Sequence, residues 1–252
     1  MHDTTQKEFN MALPVIPKKH FDVKSKFLPK GKITLSPFTT GLETILLEVK
    51  DGSTEKEQVS AVKQVIAECI QDKAVNVGKI PLFTIEEMFV RLMQFSVSDI
   101  HDLAYMCRAN HPTKEGEKCD TRIEMSVDLK KFNVVETPGH TNKVMLDETI
   151  GIKFNYPNID MAQEAEEGAD DTDTIIQCID MIFDGDEVHS AADYTKQDLV
   201  DFWKQLTLMQ KKDVYDKFFN TIPHIQYKTE VTCKKCGTVH PLEFNSFLEL
   251  FL

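Results

Sequence analysis

Apolar positions recur along this chain with two different periods, and the change between them divides it. Helical spacing comes first. A short strand at residues 31–35 and Ser36-Pro37-Phe38 lead into Leu42, Ile45, Leu46 and Val49, which share one helix face, and Asp51-Gly52-Ser53 ends that segment as a turn. Thr54 followed by Glu57 has the spacing of a capping box, in which hydroxyl and carboxylate satisfy two backbone N–H groups left over at a helix start. Val59, Val62, Ile66, Cys69 and Ile70 continue that helix. Thr84 with Glu87 reads as a second capping box, opening a helix with Ile85, Met88, Phe89, Leu92 and Phe95 on one face.

From residue 121 the period falls to two. Ile123, Met125, Val127 and Leu129 alternate with Arg122, Glu124, Ser126 and Asp128, as expected of a half-buried strand. The alternation returns at Ile150, Ile152, Phe154 and Tyr156, and again at Ile225, Tyr227, Thr229 and Val231. These runs predict three strands of one small antiparallel sheet. Between the second and third lie an acidic stretch with a mobile loop at 161–173, and a helix over 175–183. A longer helix from Lys196 carries Leu199, Phe202, Trp203, Leu206 and Met209 on one face, and resumes through Val214 and Phe218 after a break near Lys211-Lys212. The predicted class is α+β: a helical N-terminal half and C-terminal helices around a small antiparallel sheet with a zinc-ribbon-like element. Five segments follow: a basic arm and first strand (1–37), a helical region (38–98), the sheet with its cysteines (99–157 and 221–244), an acidic loop and helical insertion (158–220), and an apolar C-terminal segment (245–252).

Charge sharpens this division. The 252 residues carry 41 acids against 29 bases, a net charge of -12, which argues against free nucleic acid as the main partner. Residues 154–195 hold twelve carboxylates and no Lys or Arg, whereas residues 1–37 hold seven lysines against three acids. Arm and acidic loop are either solvated surfaces or complementary docking surfaces in an assembly. Lys18 and Lys19 are the candidate partner contacts in the arm. Phe247 and Phe251 are the candidates in the apolar terminus, which either packs on its own helices or inserts into a partner. No apolar run is long enough for a membrane span, and the first twenty residues lack the pattern of a secretory signal, so cytosolic synthesis is expected.

Six cysteines are too few for a disulfide framework at this length. Cys233-Lys-Lys-Cys236-Gly237 has the form of a zinc knuckle, with two thiolates converging on one tetrahedral ion and a glycine allowing the tight turn. Cys107 and Cys119 are the candidate second pair, giving a structural four-cysteine zinc site. Their spacing is long, and His111 between them could replace either thiol, or the thiols could stand unligated. A catalytic zinc fits poorly, because four thiolates leave no open position for water. Cys69 and Cys178 fall on apolar helix positions and read as core. Asp184-Gly-Asp186-Glu187 lacks the alternating ligands of a calcium loop and reads as a solvated turn. Common nucleotide and hydrolase signatures are missing.

The order of several short motifs is informative where none is decisive alone. Leu13-Pro14, the strand before Ser36-Pro37-Phe38, and the Leu42 helix come first. Ile80-Pro81-Leu82-Phe83 precedes a helix ending near Phe95, with a cysteine after it. Residues 151–157, Ile179-Asp180-Met181-Ile182-Phe183, and the closing Cys233-x-x-Cys236-Gly237 with its apolar end complete the set. In that order they resemble a baseplate hub protein family of T-even-type contractile-tail bacteriophages; the long Cys107 to Cys119 spacing departs from its pattern. The resemblance implies a structural subunit or assembly factor, not an enzyme. It also implies partners among other baseplate or tail subunits, residence in the host cytoplasm during assembly, and a possible place in the virion tail. The alternatives are an enzyme with an unrecognised site, for which a pocket of convergent titratable groups would speak, and a zinc-ribbon nucleic-acid-binding regulator, which would need a basic face around the knuckle where Glu230 and Glu243 stand.

Overall fold

A computed structural model describes residues 16–49, 53–110, 118–164 and 171–246. The antiparallel pair β1 (Phe21–Lys24) and β2 (Lys32–Leu35) places Phe21, Val23, Ile33 and Leu35 on its buried side. Three helices follow, α1 (Thr40–Glu48), α2 (Glu55–Cys69) and α3 (Leu82–Ser96). The Thr54–Glu57 capping box forms at the start of α2. Val65, Ile66, Ile85, Met88, Phe89 and Leu92 then close a first core with the inner side of the β1–β2 pair.

Residue Thr84 departs from expectation. It lies inside α3, because Pro81 occupies the N-cap and its carbonyl accepts from the Thr84 and Ile85 amides. Proline has no N–H to lose at a helix start and its fixed φ suits it, so the helix begins before the apparent capping box. The Thr84 hydroxyl is consequently buried with no hydrogen-bond partner among the described residues.

The predicted single sheet is instead four sheets among the described residues. A two-stranded ribbon joins β3 (Ile100–Met106) to β4 (Arg122–Asp128). Next come β5 (Asn133–Val135), β6 (Lys143–Met145) and β7 (Ile150–Phe154). Helices α4 (Ile159–Glu164) and α5 (Asp171–Cys178) take up part of the expected loop at 161–173. The helix predicted over 175–183 stops at Cys178, and β8 (Ile179–Asp184) begins, because that stretch pairs with β7 on one side and β9 (Glu187–Ser190) on the other. Helices α6 (Lys196–Gln205) and α7 (Leu208–Lys217) meet at Leu206–Thr207, five residues before the predicted break, where Thr207 and Gln210 form a capping box. Finally β10 (His224–Thr232) pairs with both β5 and β11 (Val239–Phe244). The three sequence-read strands thus become β4, β7 and β10 of separate sheets, since the same alternation serves any sheet with one wet face.

A second core lies between the β6–β9 sheet and α5–α7, with Val144, Ile152, Phe154, Val214 and Phe218 inaccessible to solvent. Two elements tie it to the first. Helix α4 directs Ile159 and Ala162 into the first core and Met161 into the second, while Lys63 of α2 donates to Asp160 at 2.5 Å. Aromatic rings form the other tie: Phe83 and Phe27 each stand edge-on to Tyr156, whose ring lies 5.6 Å from that of Phe218. His140 stacks in the same group and is hydrogen-bonded through Nε2 to the Tyr156 hydroxyl (2.9 Å) and through Nδ1 to the Thr221 hydroxyl (2.8 Å).

Two predictions follow from these packed polar groups. Thr84→Val removes an orphaned hydroxyl without leaving a cavity and should raise stability by about 1 kcal/mol, read from the urea midpoint at unchanged slope. Burial lowers the His140 pKa below the ordinary value near 6.5. The unfolded chain therefore binds the proton first. The stability His140 gives is full above about pH 6.5 and is lost as pH falls through the lowered folded value. His140→Gln should flatten stability against pH between 7.5 and 5; an unchanged profile would assign the acid sensitivity elsewhere.

Candidate metal centre

Two antiparallel strand pairs bring their cysteine-bearing ends together. In the first, seven rungs from Ile100↔Asp128 to Met106↔Arg122 hold β3 and β4 together, and the pairing continues past the strands. The Cys107 amide donates to the Thr121 carbonyl at 2.9 Å, the Cys119 amide to the Ala109 carbonyl at 2.8 Å, and Asn110 bridges Lys118. Cys107 and Cys119 are thus near neighbours across a ladder. The ladder continues to the Asn110–Lys118 bridge, and residues 111–117, including the candidate ligand His111, lie outside the described residues.

In the second pair the ladder of β10 and β11 ends at Thr232↔Val239, and Cys233 and Cys236 occupy the turn beyond it. The Cys233 amide donates to the Thr238 carbonyl (2.9 Å) and the Gly237 amide to the Cys233 carbonyl (2.8 Å). Gly237 has φ +75°, in the left-handed region that a side chain disfavours.

The four sulfurs of Cys107, Cys119, Cys233 and Cys236 all lie within 4.8 Å of one another. Cys107 and Cys236 Sγ are 3.6 Å apart, Cys119 and Cys233 Sγ 3.8 Å. Sulfurs at about 2.3 Å around a tetrahedral ion would stand roughly 3.8 Å from each other, so the cluster has the dimensions of a four-thiolate site. Cys107, Cys119 and Cys233 are buried and Cys236 is half-buried. Such a set of soft donors could hold a metal ion.

Local hydrogen bonds already favour the thiolate form on the second pair. The Thr238 side chain and amide at Cys236 draw its pKa down to about 6. Backbone amides of Cys236 and then Lys235 lower that of Cys233, against the effect of burial. Burial instead pushes Cys107 up to about 12, although the Ala109 amide opposes it. The hydrogen bonds of the β10–β11 turn thus favour the thiolate form at Cys233 and Cys236, and burial opposes it at Cys107. Burial also raises Cys69 to about 11 and Cys178 to about 12, as expected of thiols in packed cores.

One neighbour escaped the sequence reading. His240, on β11, brings Nε2 to 3.1 Å from Cys107 Sγ, and its ring lies 5.1 Å from that of Tyr105. A lone histidine in a strand gives no spacing signal; only the register Val231↔His240 places it beside the other strand pair's sulfur. Lys18 and Lys19 lie exposed before β1 in a segment without regular secondary structure. Phe247 and Phe251 lie outside the described residues. No helix among the described residues is long and apolar enough to cross a membrane.

Comparison with known proteins adds one positive finding. The sequence model of the family described as T4 bacteriophage base plate protein matches residues 20–252. No curated protein and no solved structure matches this chain. The match takes in both core assemblies and all four clustered cysteines, and the chain belongs to the T4 bacteriophage base plate protein family.

Proposed function

We propose that this chain is a structural subunit or assembly factor of the hub of a contractile-tail baseplate, working through contacts with other baseplate or tail subunits. The family match over residues 20–252 is the observation that carries the baseplate role. The order of the N-terminal and C-terminal motifs supports the narrower hub assignment. In this reading the protein acts in the host cytoplasm during assembly and has no catalytic step of its own. The part of the 1–37 arm that precedes β1 and residues 245–252 are its contact segments, with Lys18, Lys19, Phe247 and Phe251 as contact residues, while β1 and β2 belong to the chain's own first core, and residues 158–220 form an acidic insertion.

Zinc, held by Cys107, Cys119, Cys233 and Cys236, completes the reading. The fit of the four sulfurs to a tetrahedron and the thiolate-favouring bonds on Cys233 and Cys236 support it. Four protein ligands make the ion structural, pinning the ends of two strand pairs as a zinc-ribbon-like element. His240 then serves to orient Cys107 from outside the ligand set.

Elemental analysis of the purified chain should find one zinc per molecule, lost in Cys236→Ser. Hydrogen exchange should accelerate at the ends of β3, β4, β10 and β11 in that variant, and not in α3 or α6, because metal binding here is local folding free energy. His240→Phe should retain the metal but release it to a chelator about 10-fold or more readily. Zinc-free protein with the same exchange pattern would remove the metal from the reading.

For the baseplate role, the test is mass spectrometry of purified particles together with pull-down from infected cells. The chain should be recovered with baseplate subunits, and reversal of Lys18 and Lys19 to Glu should reduce that recovery while leaving the unfolding midpoint within about 0.5 kcal/mol. Recovery with unrelated proteins alone would sink the assignment.

A further inference from the structure

The β8–β9 side of the second core carries an open groove of about 340 Å³. Ile150, Ile182, Leu199 and Phe202 give it apolar walls, with His189 and Tyr194 beside them and Asp184 and Asp198 among the residues that line it. The Asp198 carboxylate is fixed by the Thr195 amide (2.9 Å) and hydroxyl (2.7 Å), so its charge has a set position. Asp186 and Glu187 add two carboxylates along the exposed hairpin turn.

A matching segment lies elsewhere in the same sequence. Ile16 is 82% exposed and is followed by Pro17, Lys18 and Lys19 in an exposed stretch without regular secondary structure. Two apolar side chains next to two cations suit apolar walls with carboxylates among them. The larger charge pattern agrees: residues 138–222 carry 18 carboxylates against 7 lysines, while residues 1–37 carry seven lysines against three acids.

The segment stays on the far side of its own molecule. Phe21, which follows it, stacks at 4.0 Å on Phe95 near the end of α3, whereas Phe83 at the other end of α3 touches Tyr156 at the second core. Twelve helical residues separate those ends by roughly 18 Å, and the five residues from Ile16 to Phe21 extend no more than about 18 Å. They would be spent in returning to the junction, short of the groove. Lys18 is also near enough to Cys69, at the end of α2, to act on its thiol.

We propose that the groove receives residues 16–19 of a second copy of this chain. The contact is heterologous, segment to groove, so it propagates as a ring or an open chain of copies. This deepens the reading of the arm as a contact segment and names its acceptor.

Sedimentation velocity of the full chain tests it, at low salt and with 0.5 M NaCl. Mass should rise above a single 28.8 kDa chain with increasing concentration, and salt should reverse the rise. K18D/K19D and D184K/D186K should each weaken association at least tenfold. An equimolar mixture of the two, and the variant carrying all four changes, should recover it, because opposite charges face each other again; both recoveries also show that the variants fold. A chain that stays monomeric at every concentration overturns the proposal, as does association that survives either reversal or fails to return on mixing. Filling of the groove by the chain's own arm, or by another subunit alone, would give those monomeric results. Recovery of the monomeric chain in purified baseplates would then leave the baseplate role standing and remove only the self-contact.

Discussion

Convergence of four sulfurs from the ends of two strand pairs is the constraint that organises this molecule. Cys107 and Cys236 are 129 residues apart in sequence, and Cys119 and Cys233 are 114 apart, yet both pairs are in contact. Everything between the strand pairs must leave one and return to the other. The second core, with its sheet and three helices, is what fills that excursion. Around the sulfurs, among the described residues, Ile123 is the buried apolar addition, with Tyr105, Ala109 and Val231 partly buried against it. Two-stranded ribbons are marginal in water without a further surface to pack on, and a metal on these thiols, as proposed above, would supply the missing tie.

At their other ends the strand pairs are anchored differently. Ile225 and Tyr227 of β10 and Val127 of β4 belong to the first core, with Phe132 stacked near Tyr227. Arg91 of α3 donates to the carbonyls of Leu129 at 3.1 Å and Phe132 at 2.7 Å, satisfying the backbone where the chain leaves β4. Each ribbon thus runs from a dry, well-packed root to a sulfur-lined tip. Slippage of either register by one residue would turn the apolar side to water and carry a cysteine away from the cluster, so core packing and sulfur convergence enforce the same register.

Where local patterns decided an element, the sequence was readable. The Thr54–Glu57 box, the helical face of α3 and the alternation in β4 and β10 appear at or near their expected places. The turn that carries Cys233 and Cys236 did so as well, because its geometry is set within five residues. Partners were the part that local pattern did not carry. Alternation marks a strand but names no neighbour, so β4, β7 and β10 looked like one sheet. Ile179 to Phe183 suits a helix or a strand, and pairing with β7 and β9 decides it. His240 and the β1 strand were invisible for the same reason: each acquires its meaning from a residue across a ladder, Val231 for one and β2 for the other.

Segregated charge is the remaining unifying feature. In residues 138–222 most lysines are already committed locally, Lys153 to Asp180, Lys196 to Asp173, Lys212 to Asp216 and Lys217 to Asp213. Such surface pairs contribute little to stability, and they leave the acid surplus of that half uncompensated. Its repulsion is tolerated because the apolar second core holds the backbone regardless. Because it is not needed for folding, that surplus is free to act at longer range on whatever approaches, within about 8 Å at physiological salt. In the baseplate role proposed above, an acid-rich half-molecule would orient the approach of a basic neighbour before any apolar side chain touches.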